Sequence, residues 1–219
     1  MKTTNCFQRL SVILLFAGCA SCAVAAQFQT GRQALLLRNN PEEALSHFEQ
    51  VAKTDPNYVF RSGPFREGIW TYIGRAEYQL GRLPAARRSL ERAVALDKDD
   101  YLARIYLGLA LAKSGDRARA LPEIQTGLKG LYDWLEYLTF KTQFGVYWDP
   151  NREIRSQIEK DLTIIASKEL DWQKLIADAE WVAKKMEDEV DIARRDEQLR
   201  ERDRDRFIPR RGLSVGAGF

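Results

Sequence analysis

The chain's only histidine, His47, is the first candidate for a tuned base, and it stands four residues after Glu43 on a predicted helix. An imidazole one helical turn from a carboxylate reads as a surface pair. Hydrolysis would also need a positioned nucleophile or a metal, and nothing in the sequence supplies one beside it. Cys19-x-x-Cys22 has the spacing of a redox or haem motif, but no His follows it. All three cysteines, Cys6, Cys19 and Cys22, lie in or beside the first 26 residues, which leaves the body without a disulfide or a thiolate site. The acid pairs Glu42-Glu43 and Asp188-Glu189 fall on charged helix faces, where solvation explains them. Glycines occur singly and never form a phosphate-cradling loop between strand and helix. These residues predict no catalytic constellation, no metal site and no cofactor.

What remains for such a chain is binding, and its composition narrows the partner. The 219 residues carry a formal charge of +3, two of whose positives, Lys2 and Arg9, belong to the leader-like start, so the rest is near neutrality and no nucleic-acid partner is expected. Residues 1–26 have the layout of a secretory signal: positive residues, an apolar stretch from Leu10 to Gly18, then small residues. Two export endings stay open. Phe16-Ala17-Gly18-Cys19 resembles the lipobox of bacterial lipoproteins, with Cys19 as the lipidated residue, although Phe16 departs from the usual Leu. Val24-Ala25-Ala26 before Gln27 resembles an ordinary signal-peptidase site. No second apolar run approaches the roughly 20 residues of a spanning helix, so a lipid on Cys19 is the only membrane attachment expected.

The elements that follow show a repeat. Laying Gly74-Arg75-Ala76 over Gly108-Leu109-Ala110 brings Gly81 over Gly115, Ala86 over Ala120 and Leu90 over Ile124, all offset by 34. Gly74 and Gly108 fall mid-helix, where glycine costs about 1 kcal/mol against alanine, so a neighbouring helix must come too close for a side chain. Gly81 and Gly115 close the first helix of each pair, where the backbone needs a positive φ. Asn40-Pro41-Glu42-Glu43 is a helix start, with Asn40 capping. Trp70, Ile73, Gly74, Gly81, Ala86, Leu90 and Ala93 together resemble the tetratricopeptide repeat pattern. The best copy spans about 67–100; a second, about 101–134, has Gly127 where the family has Ala; an earlier one, about 25–58, shows Ala34, Pro41, Ala44, Phe48 and Pro56, with Arg32 in place of the expected Gly. Val59 to Arg66, with its Ser62-Gly63-Pro64 turn, reads as a loop inserted between copies.

The resemblance implies stacked helix pairs whose first helices line a concave groove. By pattern position the groove candidates are Gln29, Gln33 and Leu36, then Thr71, Arg75 and Tyr78, then Leu102, Ile105, Leu109 and Ala112. Each of these could equally face solvent or a segment of the same chain. The lysine and asparagine set with which some members clamp a C-terminal carboxylate is missing, so chaperone-tail binding is not expected.

Beyond the repeats, Tyr132, Trp134, Tyr137, Phe140, Phe144, Tyr147 and Trp148 crowd residues 131–148. A helix apolar on two faces is expected to be a buried cap; the alternative is a partly exposed aromatic patch. Asp149-Pro150 signals a new helix with Ile154, Ile158, Leu162 and Ile165 as its stripe. Trp172, Leu175, Ala179, Val182 and Met186 then form a short heptad seam, resumed by Val190 and Ala193. It is expected to dock along the repeats first and to project later. Arg194 to Arg206 mixes both charge signs, as a solvated helix does, and Gly212 to Phe219 reads as a tail.

The expected architecture is all-α: a right-handed solenoid of about three helix-turn-helix repeats over 27–144, including the aromatic cap, a C-terminal helical region over 149–206 with a long arm, and a tail over 207–219. The implied function is a protein-interaction scaffold or adaptor with protein partners of the bacterial cell envelope, in the periplasm or on the periplasmic face of the outer membrane. The second reading is an oligomer that self-associates through the C-terminal seam.

Overall fold

The computed structural model describes residues 22–143, 145–167 and 170–207. Cys19, most of the leader, Phe144 and the Gly212–Phe219 tail lie outside the described residues. Helix α1 covers residues 22–36, followed by α2 (Pro41–Thr54), strands β1 (Val59–Ser62) and β2 (Phe65–Gly68), and helices α3 (Ile69–Gln79), α4 (Leu83–Leu96), α5 (Tyr101–Lys113), α6 (Arg117–Lys141), α7 (Glu153–Ala166) and α8 (Trp172–Phe207). Helices α1/α2, α3/α4 and α5/α6 are the three repeat pairs.

Small residues let the pairs nest. A Cβ on Gly74 would overlap the Leu90 side chain, and one on Gly108 would sit 2.9 Å from the Ala120 carbonyl oxygen and from the Ile124 nitrogen. Gly81 and Gly115 carry φ of 70° and 88°, the left-handed turn expected of them. The first pair departs from this register. Its nesting residue is Gly31, against Phe48, rather than position 32. The shift is absorbed by a turn of four residues, 37–40, where the other pairs use three (80–82 and 114–116). Asn39 takes the positive φ there, at 50°. Asn40 caps α2 as expected, accepting from Glu43 N at 3.2 Å, and the Glu43 carboxylate binds the Asn40 side-chain amide at 3.1 Å.

The inserted loop is in fact an antiparallel hairpin, with Ser62 paired to Phe65 and Val59 to Gly68 across Gly63-Pro64. Its inner face carries Phe60, Ser62, Phe65 and Glu67, all buried. Phe60 stacks on Phe28 at 5.2 Å, and Phe65 packs against Trp134 and Trp148 at 6.2 and 6.1 Å. Alternate aromatic burial compensates two strands too short to stand alone.

The aromatic segment is the continuation of α6, not a separate capping helix. Leu131, Leu135 and Leu138 form its buried face, while Tyr137 and Phe140 are 59% and 69% exposed, so the second apolar face faces outward. After Trp148, α7 starts at Glu153, three residues later than the Asp149-Pro150 signal suggests. Asp149 still caps it from upstream: its carboxylate accepts from Ile154 N and Arg155 N, each at 3.0 Å.

Candidate functional site: the concave groove

Aligning the pairs on Gly31, Gly74 and Gly108 sorts the first-helix positions by direction. The residue after each glycine, Arg32, Arg75 and Leu109, forms one row. Four residues after each glycine come Leu35, Tyr78 and Ala112. These two rows are buried, and α8 supplies the ligands of their polar members. The candidates Gln29, Gln33 and Leu36 of the first repeat are therefore one residue out of register: Gln33 is exposed, and Gln29 and Leu36 are half-buried at the edge near Arg194. Phe28, Arg32 and Leu35 hold the places given to them. The clue was the extra residue in the Arg38-Asn39-Asn40 turn.

Three other candidates turn between helices and not toward the groove axis. The Thr71 hydroxyl donates to Asp100 Oδ2 at 2.6 Å, and that carboxylate also caps α5 through Ala103 N at 2.9 Å. Ile105 meets α6 at Gly127, whose absent side chain makes room for it. Leu102 lines an outer cleft with Phe65, Leu131 and Trp134. Arg75, Tyr78, Leu109 and Ala112 stand in the two buried rows that face α8.

Helix α8 fills that groove. Leu175, Ala179, Val182, Met186 and Val190 are fully buried and Ala193 nearly so, so the heptad seam is spent within the chain and docking runs on to Ala193. This corrects the oligomer reading, because the seam it needs is not free. The polar contacts are ordered along α8. Glu180 accepts from the Tyr78 hydroxyl and from Lys113 Nζ, the latter at 2.7 Å. Nearly two turns before Ala193, Glu187 bonds both arginines of the groove row, Arg75 and, at 2.9 Å, Arg32, while Arg32 also holds Asp191 at 2.6 Å. Arg75 lies between the Tyr72 and Tyr106 rings, 5.4 and 5.0 Å from their centroids.

Glu187, Arg75 and Glu67 are each 1% exposed. Burial pushes the Glu187 carboxyl up, but the Arg75 and Arg32 charges outweigh it and bring it down to about 2. Burial, then the Glu187 charge, holds Glu67 well above the ordinary carboxylate range. Two arginines thus meet the carboxyl groups of Glu187, Asp191 and Glu67 in one set. Glu67, which sequence reasoning passed over, reaches this set only because the hairpin alternates; a short strand with a charged inward residue gives no apolar signal.

A second buried polar cluster joins the last three helices. Arg155 donates to Asp149 Oδ2 at 3.0 Å, to Glu136 at 3.0 Å and to Thr139 at 2.9 Å, and Asp149 N donates to Glu189 of α8 at 3.1 Å. His47 matches its surface reading: Glu43 lies 3.8 Å from Nε2 and the Gln27 amide 2.6 Å from Nδ1. Among the described residues no group of three His, Cys, Asp or Glu side chains is placed to hold a metal, and no helix is long and apolar enough to cross a membrane. The charged cluster fastens α1, α3 and the hairpin to α8, and at its edge Arg32 and Asp191 line a small surface pocket beside Arg194.

Residues 73–131, from within α3 to within α6, match the family model described as tetratricopeptide repeat. No curated protein and no solved structure matches the chain. Tetratricopeptide repeats generally mediate contacts between proteins, and the family is typically non-catalytic. The nested pairs, their 34-residue glycine spacing and the family match agree over this stretch: residues 73–131 are a tetratricopeptide repeat segment.

Proposed function

We propose that this protein is an interaction scaffold of the bacterial cell envelope that works with its groove closed and engages its protein partner through its outer surface. The observation that carries this reading is the commitment of Arg32, Arg75 and Tyr78 to carboxylates of α8, which leaves no groove for a partner peptide. Tyr137 and Phe140, three residues apart on α6 and more than half exposed, are the strongest outward apolar pair. Export through the leader places the scaffold in the periplasm, and lipidation of Cys19 would set it on the outer membrane. Helix α1 supports that ending over cleavage before Gln27: its described part begins at residue 22, with Val24 packed against the core, and cleavage at Gln27 would remove that turn.

The test is site-specific photo-crosslinking in envelope fractions, with the probe at Tyr137 or Phe140 and, in parallel, at Gln33 or Lys113 on the groove rim. A defined protein adduct from the α6 positions alone is expected. An adduct from the rim positions alone overturns the closed-groove reading. Mass spectrometry of the same material reads the N-terminus, lipidated Cys19 being the expected form.

A further inference from the structure

Carboxyl groups grip α8 from two opposite sides by meeting other carboxyl groups. On the groove side, Glu187 and Glu67 of β2 converge on one nitrogen, Arg75 Nη1: Glu187 bonds it, and Glu67 Oε1 lies 3.5 Å away. Neither Glu67 oxygen receives a hydrogen bond among the described residues. Nine residues earlier, half a revolution round the helix, Asp178 meets Asp161 of α7. Asp161 is fully buried; Gln157 donates to its Oδ1 at 2.8 Å, while its Oδ2 has no donor among the described residues. Asp178 is held by Lys174 at 2.6 Å.

Where two carboxyl groups converge and at least one of them is buried, a proton held between them relieves their repulsion. We propose that α8 is clasped in the groove by two shared protons, one between Glu67 and Glu187 and one between Asp161 and Asp178, and that it loosens as rising pH removes them. Loosening would uncover the groove row of α1, α3 and α5.

The titration directions agree with the geometry. Burial first, then the Asp178 charge, pushes Asp161 up to about 7. Glu67 is held high by burial and by Glu187, against the pull of Arg75, with Asp100 adding to the rise and Tyr72 opposing it. The charged groups facing Asp161 are Asp178 and Lys174, both on α8. A folded-state value raised from the ordinary carboxylate range means that the contribution of Asp161 is whole below about pH 4 and is lost as the pH climbs to about 7. Glu187 runs the other way: its contribution is present above the ordinary range and is lost as the pH falls toward about 2. Docking is therefore firmest in mildly acid solution.

Hydrogen exchange of the full chain, corrected for intrinsic rates, tests this at about pH 5 and about pH 8. Each proton bound on docking and released on opening raises the opening constant up to tenfold per pH unit between about 4 and 7. Amides from Leu175 to Ala193 are expected to lose at least about tenfold in protection relative to those of α3 and α4. The pair Glu67→Gln with Asp161→Asn, which keeps a donor at both sites at every pH, should hold protection level. Should that pair fail to fold, Asp178→Asn on the more accessible partner supplies a donor to Asp161 and should remove its share of the pH dependence. Equal protection of α8 at the two pH values, or unchanged pH dependence in the folded variants, overturns the proposal. Neither outcome alters crosslinking from Tyr137, which does not require α8 to move.

Discussion

Gly108 and Gly81 show how one residue type answers two different demands. At Gly108 an added methyl meets backbone atoms of α6 that cannot move away, whereas at Gly81 there is open space but a φ of 70°. Gly108→Ala is expected to lose about 1–3 kcal/mol despite its better helix propensity, and Gly81→Ala about 1 kcal/mol from backbone strain alone. Urea unfolding of both variants measures the difference, and equal losses would count against close nesting as the role of Gly108. Asp149 makes the analogous case for charge. It caps α7 and pairs with Arg155, both groups 2% exposed, so Asp149→Ala removes two cap bonds and leaves the buried guanidinium with Glu136 as its carboxylate partner, and should cost about 2–3 kcal/mol in the same assay. Asp149→Asn keeps an acceptor for one of the two amides and should cost less.

At the level of elements, the legible parts of the sequence were those written in period and punctuation. The 34-residue offset, the glycine turns, the Asn40 cap and the α8 seam each carry a local reason that survives without neighbours. What escaped depended on an extra residue or on distant partners. Arg32 looks like a defect in the first repeat until the longer turn is counted; then it is the counterpart of Arg75, one place after the nesting glycine. Deleting Asn39 would give this turn the length of the others and rotate α1 by about 100° against α2. Arg32 would then leave Glu187, and a stability loss of about 3–5 kcal/mol is expected by thermal or urea unfolding. Unchanged stability would mean that the register of α1 is set elsewhere. The hairpin was equally hidden, since four-residue strands containing Arg61, Arg66 and Glu67 lack an apolar alternation.

At the level of the whole molecule, the groove residues were half legible because the family pattern names positions but not what covers them. The last helix covers them here, and truncation should show it. Ending the chain after Ala193 removes only exposed residues among those described and should change stability by less than about 1 kcal/mol. Ending it before Trp172 uncovers the apolar and charged groove row, and dye binding with aggregation is the expected result. Acid titration of the intact chain adds a check: with Glu187 brought down to about 2, its contribution should begin to fall as the pH drops through the ordinary carboxylate range and go on falling to about 2. A shortened chain that stays monomeric and cooperative would show that the repeats are complete without α8.

The bond between Arg32 and Glu187 joins positions 155 residues apart. The arginine is synthesised 155 residues ahead of its counter-charge, so the first repeat carries an unanswered cation until α8 is available. Contacts of such long sequence separation slow the final closure. Closure of the groove therefore waits for α8, and a chain that stops before residue 187 would be an open, sticky intermediate and no smaller working copy.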